Sequence, residues 1–199
     1  MSTTLDSLAR ARKLAQSMDP EIPPADEALP AVRALFAAAK VPFKIVGGIA
    51  VVHHGYARAT EDIDVLVPLG SEAAIDAVLE KHDFVRESRA RLRHAPTRVR
   101  VDLLIEGDAI PRAATMTYPS PMRVSASAAD GDVISLSELV TLKLFAHRHQ
   151  DLADVVALLK NLDDAHYLEL EGQTPAQLRK TLADLRRDAQ EELATREAD

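Results

Sequence analysis

The chain has 199 residues, 47% hydrophobic and 28% charged, enough for one substantial core or for one core with a helical appendage, but cramped for two full domains. A formal net charge of -7 argues against gripping nucleic acid over the whole surface, although a local basic patch is compatible with it. The absence of cysteine excludes disulfides, zinc–thiolate sites and thiol nucleophiles, and aromatics at only 4% leave Leu, Val, Ile and Ala to build the interior.

In chain order, Leu5 to Ser17 has helical character, and Pro20, Pro23 and Pro24 then impose a hinge. The first twenty residues carry charges throughout, unlike a secretory signal, and no apolar run approaches the ~18 residues of a membrane span. A cytoplasmic protein with no membrane contact is expected. A second helix should run from Ala25 to Lys40 with Leu29, Val32, Leu35 and Phe36 on its apolar stripe; Pro30 is tolerable only in its first turn or as a kink. Phe43-Lys44-Ile45-Val46 is a short β-prone run ended by Gly47-Gly48, and Ile49 to His54 suits a helix stopped by Gly55. Asp62 to Val67 alternates carboxylate and aliphatic residues, the pattern of a strand with one special face.

Ser71 is placed to cap a helix reaching about Lys81. The basic stretch Arg86, Arg89, Arg91, Arg93, His94, Arg98 and Arg100 reads as a solvated loop or hairpin and as a candidate anion surface. Arg98 to Ile105 is a second strong strand with Val99, Val101, Leu103 and Ile105 on one face. Ala109 to Asp132 gives weak strand signals, best at Met122-Arg123-Val124. Ser135 with Glu138 forms a capping box for a helix to about His147, and Asp151 with Asp154 repeats the device for a helix to about Leu162. Thr174-Pro175 opens a last helix striped by Leu178, Leu182, Leu185 and Ala189. This order predicts an α+β architecture with a small mixed sheet flanked by helices. Residues 1–24 form a helical segment and hinge, 25–134 the core, and 135–199 a helical region packed on it.

Side chains two apart on a strand share a face, so Asp62 and Asp64 point the same way with Cα atoms roughly 6–7 Å apart. Their like charges repel unless a cation lies between them or one is protonated, and a hard divalent ion removes that conflict. Asp102 falls on the face of the second strand opposite its four aliphatic residues. If the strands are neighbours, three carboxylates converge. Such a set can bind two magnesium ions about 3.5–4 Å apart for in-line displacement at phosphorus. Gly47-Gly48 would let backbone N–H groups approach phosphate, although glycines at such a turn are more often turn chemistry alone. Lys143, at helical spacing among leucines, would ordinarily reach to solvent. Asp151 and Asp154 would ordinarily serve the helix terminus, and Arg58 would be a surface charge. His53 and His54 face about 100° apart on a helix and cannot easily share an ion, so both read as packing or rim residues.

Val46-Gly47-Gly48-Ile49-Ala50-Val51, followed by His54-Gly55-Tyr56-Ala57-Arg58-Ala59-Thr60-Glu61-Asp62-Ile63-Asp64-Val65-Leu66-Val67, resembles the nucleotidyltransferase superfamily, in the branch around AbiEii-type toxins. The resemblance continues through Val101-Asp102-Leu103-Leu104 and from Leu139 to Leu158, with Lys143 and Asp151-x-x-Asp154. It implies a nucleotidyltransferase-like fold in which Asp62, Asp64 and Asp102 are the catalytic metal carboxylates for Mg2+ or Mn2+. On the nucleotide side it implies Gly47, Gly48, Arg58, Thr60, Lys143 and Asp154. Many members of the superfamily carry Gly-Ser where this chain has Gly47-Gly48, which removes one hydroxyl donor to phosphate. The implied activity is transfer of a nucleotidyl group from a nucleoside triphosphate to an RNA, tRNA or protein hydroxyl, as the toxin of a toxin–antitoxin pair with a cognate antitoxin for partner. Two alternatives stay open: an antitoxin-like module that binds nucleotide or a partner without turnover, and a transferase acting on an antibiotic or other small molecule.

Overall fold

The computed structural model describes residues 4–16, 22–113 and 116–198 of the chain. Among these residues the fold is α+β, with eight α-helices around one mixed five-stranded sheet. The helices are α1 (Thr4–Ala15), α2 (Ala25–Ala39), α3 (Gly47–His53), α4 (Glu72–Asp76), α5 (Leu136–Ala146), α6 (His149–Leu159), α7 (Asp164–Gln173) and α8 (Ala176–Ala198). The strands are β1 (Lys44–Ile45), β2 (Asp62–Val67), β3 (Phe84–Ser88), β4 (Arg91–His94) and β5 (Arg100–Ile105), in the spatial order β1-β2-β5-β4-β3. Only β2 and β5 run parallel; the other pairings are antiparallel.

The two long strands form as their alternation requires. Ile63, Val65, Val67, Val101, Leu103 and Ile105 are buried and share an apolar cluster with Leu29, Val32, Leu35 and Phe36 of α2. Pro30 lies in the second turn of α2, inside the helix, on its exposed side. That helix ends at Lys40, which takes a left-handed φ of 53°; its N–H donates to the Ala37 carbonyl and the next N–H, of Val41, to the Phe36 carbonyl. Gly55, at φ 103°, follows α3 in the same way and donates to the Val52 carbonyl. A second cluster, of Val140, Leu144, Val155, Leu159, Leu170, Leu182, Leu185 and Ala189, joins α5, α6, α7 and α8. Leu139 of α5 belongs to the first cluster and Val140 to the second, so this helix is common to both.

Several local expectations are corrected. The helix expected from Ser71 to Lys81 stops at Asp76, because Val78 and Leu79 bond back only three residues, to Ile75 and Asp76, and tighten the chain into a 3₁₀ turn at Glu80–His82. Ser71 does not cap it through its side chain; Oγ donates to the Pro68 carbonyl. Met122-Arg123-Val124 is a turn rather than a strand, closed by Arg123 N–H to the Ser120 carbonyl, with Pro119 and Pro121 unable to donate to a ladder. Asp151 is not an N-cap: α6 starts two residues earlier with Arg148 as its cap, and ends at Leu159. The strand expected from Arg98 begins at Arg100, since Arg98 takes a left-handed φ of 61° in the turn before it. The segment 164–173, for which sequence pattern predicts no element, is α7, capped by the Asp163 side chain accepting from His166 N–H. Pro20 and Ser17 lie outside the described residues. No helix among the described residues is long and apolar enough to cross a membrane.

Candidate functional site

Because β2 and β5 are parallel and in register, Asp64 pairs directly with Asp102, and Asp62 pairs with Arg100. Paired residues on adjacent strands share a face about 4.8 Å apart, so Asp62, Asp64 and Asp102 all lie on the face opposite the aliphatic core. The separated carboxylates are therefore brought to one patch of sheet. Arg91 of β4 completes the row: it is the antiparallel register partner of Asp102, and its Nε donates to Asp102 Oδ1 at 2.7 Å.

The glycine turn is fitted to this patch. Gly47 has φ 59°, and a Cβ placed there would stand 1.7 Å from Asp64 Oδ2; at Gly48 it would stand 2.5 Å from Thr60 Oγ1. Neither position has room for a side chain. The Val46 N–H donates to the Asp64 carbonyl, which pins the turn to β2. Asp64 is consequently enclosed, and its carboxyl is pushed up to about 7 by burial, then by the charges of Asp62 and Asp102, against the opposing pull of Lys143 and Arg148.

A cleft of about 360 Å³ opens over Asp64 and Asp102, lined by these two with Gly47 and Arg91 on one side and by Lys143, Arg148 and Tyr118 on the other; Asp62 lies on the same face of the sheet but outside this lining. Burial, followed by the charge of Asp64, raises the Tyr118 phenol above its ordinary value. Among the described residues no three His, Asp or Glu side chains stand close enough to hold a metal ion as they are.

Lys143 does not reach to solvent. It is 5% exposed, and its Nζ donates to Asp151 Oδ1 at 3.1 Å and Asp154 Oδ2 at 2.7 Å. Arg58 forms two bonds to Asp154, Gln150 adds a third, and Arg148 forms two to Asp151. Burial drives both carboxyls up, but the arginine hydrogen bonds and the Lys143 charge outweigh it and hold each below the usual carboxylate range. Of the six residues expected on the nucleotide side, Gly47 and Lys143 line the cleft. Gly48 is packed on Thr60, whose hydroxyl donates to the Asp62 carbonyl, while Arg58 and Asp154 are bonded to each other. His53 and His54 pack: the His53 ring lies between Thr4 and Ser127 hydroxyls, and His54 Nε2 donates to the Ile134 carbonyl.

The basic stretch is a hairpin of β3 and β4, with Arg86 bonded to Asp76, Arg89 to Glu72 and Asp108, and Arg93 to Glu87. Much of its charge is thus neutralised within the molecule. Arg91, Arg148 and Tyr118 are site residues that sequence pattern does not single out. Arg91 has only its membership of the basic run as a signal, and Tyr118 has none.

No protein-family model matches the chain, and no curated protein matches it either.

Proposed function

We propose that the chain is a magnesium-dependent nucleotidyltransferase that moves a nucleotidyl group from a nucleoside triphosphate to a hydroxyl acceptor on RNA or protein. The observation that carries this reading is the Asp64–Asp102 register pair, which lines a cleft of a size usual for small-ligand sites, with Asp62 on the same face of the sheet. The donor set suits magnesium, which takes one or two protein carboxylates and completes its octahedron with water and substrate phosphate, so a closed cage of three is not required. Asp64, half-buried beside two like charges, is the carboxylate whose ionisation such an ion would favour most. When bound, the ion would neutralise triphosphate charge and orient the α-phosphate for displacement.

The remaining roles belong to the chain. Asp64 and Asp102, with Asp62 beside them on the same face, would hold the ion, and the backbone at Gly47 and Gly48 would lie against the triphosphate without Cβ obstruction. Lys143 and Arg148 would add positive charge from the facing wall. Asp102 would accept the proton as the acceptor oxygen bonds to the α-phosphorus and pyrophosphate leaves. A toxin acting on cellular RNA or protein is one setting for this chemistry.

The experiment is incubation with labelled triphosphates, Mg2+ or Mn2+, and total RNA or protein. Labelled product that disappears in Asp64→Asn supports the reading. Triphosphate binding by calorimetry with no product under any condition would favour a nucleotide-binding module instead, a rival given some weight by Arg91 engaging Asp102.

A further inference from the structure

Three cations line the cleft, and they are held differently. Lys143 is buried and bonded to two buried carboxylates; Arg148, although its side chain is 62% exposed, makes two bonds to the buried Asp151. Moving either one would strip charge compensation from acids that solvent does not reach. Arg91 differs in the acid it holds, which solvent reaches. Its side chain is 42% exposed, it lies on the face of the sheet shared by Asp64 and Asp102, and the bond by which it holds Asp102 is a single Nε–Oδ1 contact to a carboxylate itself 24% exposed. A single contact between side chains that solvent still reaches contributes little and does not lock either partner in place.

We infer that Arg91 is a positioning residue that exchanges partners: it neutralises Asp102 in the empty site, yields that carboxylate when a divalent ion enters, and turns its guanidinium to the triphosphate. The inference rests on the proposed reading of the carboxylate patch. Its physical basis is that a guanidinium and a divalent cation compete for the same carboxylate oxygen, while a planar fork of N–H donors suits phosphate as well as carboxylate. Register makes the exchange local. Arg91 and Asp102 are paired across β4 and β5, and Asp64 is the next residue in the same row, so a guanidinium released from Asp102 already stands at the cleft wall. Ion and nucleotide are thereby coupled: bound triphosphate draws away the group that competes with the ion.

The test is calorimetric titration with Mn2+ alone, and then with a non-hydrolysable nucleoside triphosphate at saturating Mn2+. It compares the wild type, Asp64→Asn, Arg91→Gln, Arg91→Lys and the neighbouring Arg93→Gln, with thermal unfolding to verify folding. Removing the competitor should raise the affinity for Mn2+ alone by about three- to tenfold in Arg91→Gln and weaken triphosphate binding by about tenfold or more. Arg91→Lys should fall between, and Arg93→Gln should leave the affinity for Mn2+ alone unchanged. Unchanged or weaker Mn2+ binding in Arg91→Gln, with uptake still abolished by Asp64→Asn, overturns the exchange and leaves the metal site standing. Mn2+ uptake that survives Asp64→Asn, or none in any variant, overturns the site reading and the exchange together.

Discussion

Asp64 carries the largest electrostatic conflict in the cleft. In the unfolded chain its carboxyl titrates near the ordinary value of 3.8, and in the folded protein it is pushed up to about 7. Between those values the folded state holds the proton and the unfolded state has lost it, so this residue makes stability fall as pH rises across the window. Each pH unit in that window is worth about 1.36 kcal/mol, which makes the whole effect on the order of a few kcal/mol at most. Urea unfolding without divalent ions should therefore show the wild type losing stability from pH 5 to pH 8 relative to Asp64→Asn. Saturating Mg2+ should flatten that difference by stabilising the ionised form. A wild type and Asp64→Asn with parallel pH dependence would show that Asp64 is under no such conflict.

At the scale of elements, α5 and α6 are joined by a buried ionic core rather than by apolar contact alone. Lys143 projects from α5 between Asp151 and Asp154 of α6, and Arg58, from the segment between α3 and β2, closes the set from outside. A buried pair of this kind contributes little net stability when intact, but removing one partner leaves charge unscreened. Lys143→Met should cost about 3–5 kcal/mol in urea unfolding. The loss should shrink when Asp151→Asn is added to it, because one of the orphaned charges is then gone. Additive losses in the double variant would argue against the network. The corrected boundaries in this region have the same origin, since Asp151 is taken inward by Lys143 and Arg148 instead of capping its own helix.

Across the whole molecule, two apolar clusters meet at α5, where the consecutive residues Leu139 and Val140 face different cores. The carboxylate patch stands on the first cluster, while Lys143 approaches the cleft from a helix that the second cluster also supports. Leu182 is fully buried in that second cluster. Leu182→Ala should cost about 2–5 kcal/mol and leave a single cooperative transition, since α5 cannot stay packed on one cluster after the other melts. Two separated transitions in chemical denaturation, read by circular dichroism, would show that the clusters unfold independently.

Local pattern determined much of this protein. The stripe of α2, the alternation of β2 and β5, the glycine turn and the Ser135 cap are properties of neighbours along the chain, and the same alternation set Asp62, Asp64 and Asp102 on the face away from the aliphatic core. Whether those faces met was a matter of register, and only tertiary structure decided it by pairing Asp64 with Asp102. The same holds for Arg91, whose approach to Asp102 depends on how β4 is laid on β5, and for Lys143, which helical spacing assigned to solvent and packing turned inward. The physical reason is that a side chain's direction follows from backbone geometry within a few residues. Its partner, by contrast, is chosen by burial and charge compensation summed over segments far apart in the chain.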